Sequence, residues 1–258
     1  MKYIFIISFI LFFSENIYSQ TALDSITANS AFNVGEELRY EVKYGLIKGG
    51  EAKMRIDLFP VGDSYVYHVK AIAVTTGMAA QFARIYDIYE SYIDITTGYP
   101  VKSVRNIREN KYTKYNEVLF FREEKYVMSV NSGKHNVPYN TLDILSAFYY
   151  ARRTLFDKPI SKGETIDITT FFEDDLYPLK IKFVGKDKIR TKFGKINCLK
   201  FVPVLEKNNP FKKEDDLEIW VSDDGNYIPV KIQMRLPVGS AKASLIGFEN
   251  LKNDFGKK

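Results

Sequence analysis

Two histidines, one cysteine and three acidic clusters are the residues of this sequence whose types and spacing could do chemistry. His68 sits in the strand-like run YVYHVKA on the face opposite Tyr65, Tyr67 and Val69, and His135 lies in a polar turn. Structural or catalytic zinc needs three or four ligands held close together, and two scattered histidines with one cysteine do not supply them, so no metal site is expected. Cys198 follows Asn197 in the run Ile196 to Val204. A nucleophilic thiol needs a base beside it and an accessible, electropositive setting; with no histidine nearby, Cys198 reads as a small core residue.

The acids cluster at Glu173, Asp174 and Asp175, at Glu214, Asp215 and Asp216, and at Asp223 and Asp224. A glycosidase requires two carboxylates held ~5 to 10 Å apart across a cleft, which linear spacing does not provide. Ser222 to Asn226 lacks the alternating ligands of a calcium loop and reads as a hairpin turn. No GxSxG, P-loop, GxGxxG or HExxH motif occurs. No catalytic residue is assigned and no cofactor is expected. An enzyme acting on glycan or lipid would need a cleft lined by two or more of His68, Glu90, Asp143 and Asp174.

A different chemistry is carried by charge. From Lys180 to Lys213 eleven basic residues face two acids within a chain whose overall net charge is +5. Lys180 and Lys182, then Lys186, Lys188, Arg190 and Lys192, recur at steps of two, so each set projects from one side of a strand. Such a face suits an anionic envelope component, whether lipid headgroup, lipopolysaccharide phosphate or acidic glycan. It equally suits the wet face of a hairpin that discourages edge aggregation.

The elements that hold these residues are mostly strands. In LRYEVKYGLIKGGEAKMRIDLF, Leu38, Tyr40, Val42 and Tyr44 alternate with charged residues, and Ala52, Met54, Ile56 and Leu58 do so after a glycine-bearing turn. The pattern recurs at Tyr65, Tyr67 and Val69, at Ile166 and Ile168, at Ile181 and Phe183, and at Val230, Ile232, Met234 and Leu236. About a dozen antiparallel strands are expected, separated by turn chemistry at 60–64, 96–100, 131–135 and 223–226. Two segments read as helical: a short one from Met78 to about Ile85, and a long amphipathic one. The latter is capped by Asn140, with Asp143 three residues on, and carries Ile144, Phe148, Ala151 and Leu155 on one stripe. Arg152, Arg153 and Lys158 near its end suit the negative end of the helix dipole.

Many strands with one wet face must hide the other. The expected architecture is mainly β, a curled antiparallel sheet forming an open barrel or half-barrel, with the long helix against its concave side; a β-sandwich is the alternative. Tyr40, Val42, Tyr44, Met54, Ile56 and Phe148 are the candidate liners of a concavity for an apolar or lipid-like ligand, although apolar residues at strand period more often bury against their own chain.

Lys2, the apolar run Ile4 to Phe13 and the polar stretch ending at Ser19 and Gln20 form a secretory leader, residues 1–19, cut near Ser19. Residues 20–30 read as a flexible lead and 31–258 as one mostly-β domain. No later segment approaches the ~20 apolar residues of a membrane span. The product is expected to be soluble and periplasmic or otherwise exported, which makes nucleic acid an improbable partner.

Three stretches, LRYEVKYGLIKGGEAKMRI, TLDILSAFYYARR and LEIWVSDDGNYIPVKIQMRLPVGSAKASLIGF, stand in an order that resembles the Gram-negative envelope family catalogued as domain of unknown function 3108. The most specific pieces are Tyr44, Gly45, Gly49 and Gly50, then Asp143, Leu145 and Ser146, then Trp220, Pro229 and Val230. The resemblance implies an exported, mostly-β protein and brings no assigned activity, so no catalytic residue is carried over. In shape, a curled sheet holding a helix is also similar to the lipoprotein carriers of the periplasm, whose concave side shelters acyl chains. Together these readings point to a non-catalytic binding or envelope-maintenance protein, or to a scaffold that presents its basic face.

Overall fold

The computed structural model describes residues 31–204, 216–236 and 239–257. The leader and lead expected at 1–30, together with Glu206, Lys207, Lys212, Lys213, Glu214 and Asp215, lie outside the described residues.

Alternation of apolar and polar residues builds one continuous sheet. Eight strands precede the long helix: β1 Glu37–Tyr44, β2 Ile47–Val61, β3 Ser64–Thr75, β4 Tyr86–Asp94, β5 Pro100–Glu109, β6 Tyr112–Phe121, β7 Tyr126–Ser129 and β8 Gly133–Asn136. The short β9, Thr141–Leu142, leads into it. Six follow: β10 Thr165–Phe172, β11 Asp175–Thr191, β12 Gly194–Pro203, β13 Leu217–Ser222, β14 Pro229–Arg235 and β15 Ser240–Glu249. The sheet runs β8 to β1 in reverse order, then β15 down to β9, so β1 pairs with β15 in its middle. All pairings are antiparallel except β9 with β10. The fifteen strands exceed the dozen expected because β7, β8 and β9, with four, four and two residues, are too short to display alternation. The described residues form a single curled sheet and not a sandwich.

The two edges, β8 and β9, are not hydrogen-bonded to each other. They are brought together by a cluster of Val118, Val127, Val137 and Phe171, and by the β10–β11 turn. There Asp174 accepts from Asn116 Nδ2 at 3.1 Å and Ser129 Oγ at 2.6 Å, while Arg105 pairs with Glu173 at 2.5 Å and lies over the Phe172 ring. Burial opposes ionisation of Asp174, but these hydrogen bonds win and hold its carboxyl below the usual range.

Helix α1 is only Ala79–Phe82, shorter than expected, because Ile85 already bridges back to Glu109. Helix α2, Ile144–Asp157, begins three residues later than an Asn140 cap would place it: Thr141 and Leu142 extend to pair with β10, and Asp143 is the cap. Asp143 accepts from the backbone N–H of Leu145 and Ser146, and Ser146 Oγ returns a bond from the Asp143 N–H, which closes a capping box. Leu145 and Tyr149 face β1–β4 and β15, whereas Ala147 and Leu155 face β10–β13. The helix thereby lies within the concave side.

Candidate functional site

The helix divides the interior into two unlike halves. On one side Leu38, Tyr40, Met54, Ile56, Tyr67, Val69 and Ile93 close against Phe32, Leu145 and Tyr149. Phe32 meets Tyr149 edge-on at 4.7 Å and Tyr67 at 5.6 Å, and such aromatic pairs fill space efficiently. On the other side, Ala147 and Ala151 are the helix residues that face the β-branched rows of the sheet. They leave a cavity of about 380 Å³ walled by Ile168, Ile181, Phe201, Ile219, Val221 and Ile232. Leu155, Ile166 and Phe148 bound it from the helix end and the side. Its floor is buried at Phe201, Ile181 and Val221, and its mouth is marked by the exposed Ile144 and Tyr177. The lining is almost wholly hydrocarbon, and the volume falls within the range of about 300–1,000 Å³ typical of small-molecule sites.

Of the six residues expected to line a hollow, Phe148 does so. Tyr40, Met54 and Ile56 lie on the concave face but are packed in the closed half, because the aromatic helix face and Phe32 leave no room there. Val42 shares a row with Ala243, Ile232 and Ile219, the last two being cavity walls, and Tyr44 stands exposed at the rim. Sequence reasoning missed most of the walls because Ala147 and Ala151 make the hollow by lacking volume.

Arg152 was expected to complement the helix dipole and instead turns inward, 2% exposed, between the two halves. Its guanidinium donates to Glu36 Oε1 at 2.5 Å and Oε2 at 2.8 Å, to the Ala31 carbonyl at 3.0 Å and to the Asn226 carbonyl at 2.9 Å. With four donors satisfied inside the protein, Arg152 borders the cavity without offering it a cation. It ties the start of the described chain, the helix and the β13–β14 turn together. Close by, the hydroxyls of Tyr40 and Tyr149 are buried without a partner, and burial pushes both phenols upward in pKa.

The Ser222 to Asn226 segment is a turn, as expected, yet Asp224 and Asn226 are buried. Asp224 accepts from Ser222 Oγ, the Asn226 N–H and the Gly256 N–H. The turn thus docks the C-terminal tail. Cys198 is buried, and burial, reinforced by Asp187, Asp224 and Asp223, pushes its thiol up to about 12, where it is not a nucleophile.

The other candidates do not converge. His68 bonds Glu90 at 2.7 Å and stacks on Tyr92. Burial opposes ionisation of Glu90, but hydrogen bonds from His68 and Lys70 outweigh it and lower its pKa. Glu90 and Asp143 both border a cavity of about 40 Å³, room for about one water by bulk volume. Asp143 is occupied by the helix cap and by Ser91 Oγ at 2.6 Å. His135 bonds Ser132, and Asp174 belongs to the β10–β11 latch. Among the described residues no three metal-ligating side chains group together.

On β11, Gly185 adopts φ 139° at a bulge that shifts the register against β12 between Phe183 and Gly185. Lys180 and Lys182 therefore lie on the opposite face from Lys186, Lys188 and Arg190. Lys186 pairs with Asp223 at 2.8 Å, whereas Lys188, Arg190 and Lys192 are exposed and make no ion pair among the described residues. Lys192 lies over the Phe193 ring.

A curled, helix-plugged antiparallel sheet enclosing an apolar hollow defines a β-barrel-like protein. The fold is similar to that of a β-barrel-like protein of domain of unknown function DUF1849 from Brucella abortus, with TM-score 0.54 at 10% identity over 85% of this chain and 98% of that one. A DUF1089 family protein from Pseudomonas aeruginosa matches more weakly, with TM-score 0.38 at 8% identity over 69% and 87% of the two chains. The chain belongs to the DUF3108 family, proteins of unknown function, whose profile matches residues 39–246. No curated protein matches it significantly. No helix among the described residues is long and apolar enough to cross a membrane.

Proposed function

We propose that this protein is an exported, non-catalytic binding protein that takes one apolar, lipid-like molecule into the hollow between α2 and β10–β14. The observation that carries the reading is the cavity of about 380 Å³ with hydrocarbon walls, a buried floor and an exposed mouth. Transfer of an apolar chain from water into such a space gains about 25 cal/mol per Å² of buried surface. The absence of a convergent nucleophile, base and oxyanion donors among the described side chains favours binding over turnover. The leader-like residues 1–19 support export.

The test is native mass spectrometry of protein taken from its own envelope compartment, with binding of a fluorescent fatty acid by delipidated protein as a second arm. Ala151→Phe fills the hollow and is expected to weaken probe binding at least tenfold, the loss of about 1.4 kcal/mol, with the fold intact. No co-purifying mass, together with probe binding indifferent to Ala151→Phe, would sink the reading.

A second reading has Lys188, Arg190 and Lys192 meet an anionic envelope polymer, favoured by their exposure at the end of β11 and in the turn after it, without ion pairs among the described residues. Retention on an immobilised polyanion would then fall steeply with salt and with Lys188→Glu and Arg190→Glu; salt-indifferent retention ends it.

A further inference from the structure

Among the described residues, four of the five most exposed large apolar side chains gather on one rim of the sheet. Leu46 is 98% exposed, Phe82 86%, Met78 72% and Ile47 60%, which a chain rarely tolerates for large apolar groups at adjoining turns without a partner. Leu46 and Ile47 form the tip of the β1–β2 hairpin, held up by Gly45 at φ 56°. Met78 and Phe82 sit in the β3–β4 connection. The two are neighbours: the Thr76 N–H donates to the Gly49 carbonyl at 3.1 Å, and Thr75 pairs with Gly50. The start of β15 joins the same rim, where the Gly45 N–H donates to the Ser240 carbonyl at 2.8 Å. The β5–β6 turn joins through the Asn110 N–H, which donates to the Arg84 carbonyl at 2.7 Å.

A belt of cations accompanies these tips: Lys43 stands opposite Lys242 and Lys48 on paired strands, and Arg84 and Lys111 lie in the β3–β4 and β5–β6 connections. Lys43 and Lys48 are partly offset by Glu41 and Glu51, whereas Arg84 and Lys111 are exposed without an ion pair among the described residues. Apolar tips accompanied by a basic belt form the pattern of a protein that lies on a bilayer, the tips entering the acyl boundary and the cations meeting anionic headgroups. We propose that this rim docks onto the surface of a lipid bilayer that carries anionic headgroups. Alternating strand direction places the β10–β11 turn, the start of α2 and hence the mouth residues Ile144 and Tyr177 at this same end. A docked molecule would present its hollow to the lipid. The proposal goes beyond ligand binding in the hollow and does not require it.

The test is flotation of the intact protein with vesicles of phosphatidylethanolamine and phosphatidylglycerol, against vesicles of phosphatidylcholine alone. Wild-type protein is expected to float with the anionic vesicles and to be released as salt rises. Leu46→Glu combined with Phe82→Glu removes apolar surface from exposed tips, so it leaves folding unchanged by circular dichroism, and is expected to reduce the bound fraction at least tenfold. Each of Arg84→Glu and Lys111→Glu should weaken partitioning about fivefold or more. Ala151→Phe should float like wild type, which separates failure of docking from failure of the hollow as a binding site. Flotation that ignores the tip variants, or wild-type protein that stays with the buffer in both vesicle types, would overturn the proposal. A dimer in light scattering that dissolves in the Leu46→Glu, Phe82→Glu variant would assign the rim to self-association and overturn it as well.

Discussion

The half of the interior under β1–β4 and the half under β10–β14 are built from the same alternating strands and share one helix, yet one is filled and the other hollow. The difference lies in side-chain volume across the helix. Tyr149 and Leu145, joined by Phe32 from the start of the described chain, occupy the first half, and Phe148 stands at the boundary. Ala147 and Ala151 face the second. The shape of the sheet sets where a ligand could go, and a pair of small residues on the rod inside it decides whether there is room.

The sharpest way to break this comparison is to remove what joins the halves. Arg152→Ala strands the buried Glu36 carboxylate and should cost about 3–5 kcal/mol in urea denaturation. Arg152→Met with Glu36→Gln should recover most of that, and a double variant as unstable as the single one would refute the explanation by stranded charge. Next, equal and opposite volume changes should be felt unequally. Tyr149→Ala in the filled half should cost about 3–5 kcal/mol, whereas Ala151→Phe in the hollow half should stay within about 1 kcal/mol, because it occupies space already empty. Similar thermal shifts for the two would mean that the hollow closes in solution.

The latch at the β10–β11 turn gives a smaller, pH-dependent effect. The Asp174 carboxyl is held below its unfolded value, so its stabilisation is present above the ordinary carboxylate range and is lost as pH falls through the lower, folded value. Part-exposed, it should contribute at most about 1 kcal/mol. The gap in melting temperature between wild type and Asp174→Asn should therefore be constant near neutrality and shrink only in acid. Smallest of all, Cys198 should stay silent to thiol reagents until the protein unfolds, and prompt labelling would contradict its burial.

Much of the fold was legible because period-two alternation shows in several of the longer strands, as at Leu38 to Tyr44 and Tyr65 to Val69. The sequence reading lost β7 to β9, which are shorter than the pattern needs, and the face switch at Gly185, where one bulged residue puts two lysine sets on opposite sides. The site was less legible. Phe148, on the helix stripe, borders the cavity, but a cavity is a deficit of volume among residues that look like ordinary core. Arg152 had a readable signal: it falls three residues after Tyr149 and three before Leu155, on the buried stripe, with the acidic pair Glu36 and Glu37 at the start of the first strand.

The pairing of β1 with β15 bears on the order in which the molecule assembles. Every other antiparallel ladder joins strands adjacent in the chain, so two meanders can form quickly and locally, while the eight register pairs from Glu37–Glu249 to Tyr44–Ala241 must wait for distant segments to meet. That docking is expected to limit the folding rate. Linking the ends of the described region, where Asn33 and Asn250 already bond across the junction, and opening the chain in the short connection between β8 and β9 would turn the one distant pairing into a local one, and the rearranged chain should fold faster than its parent.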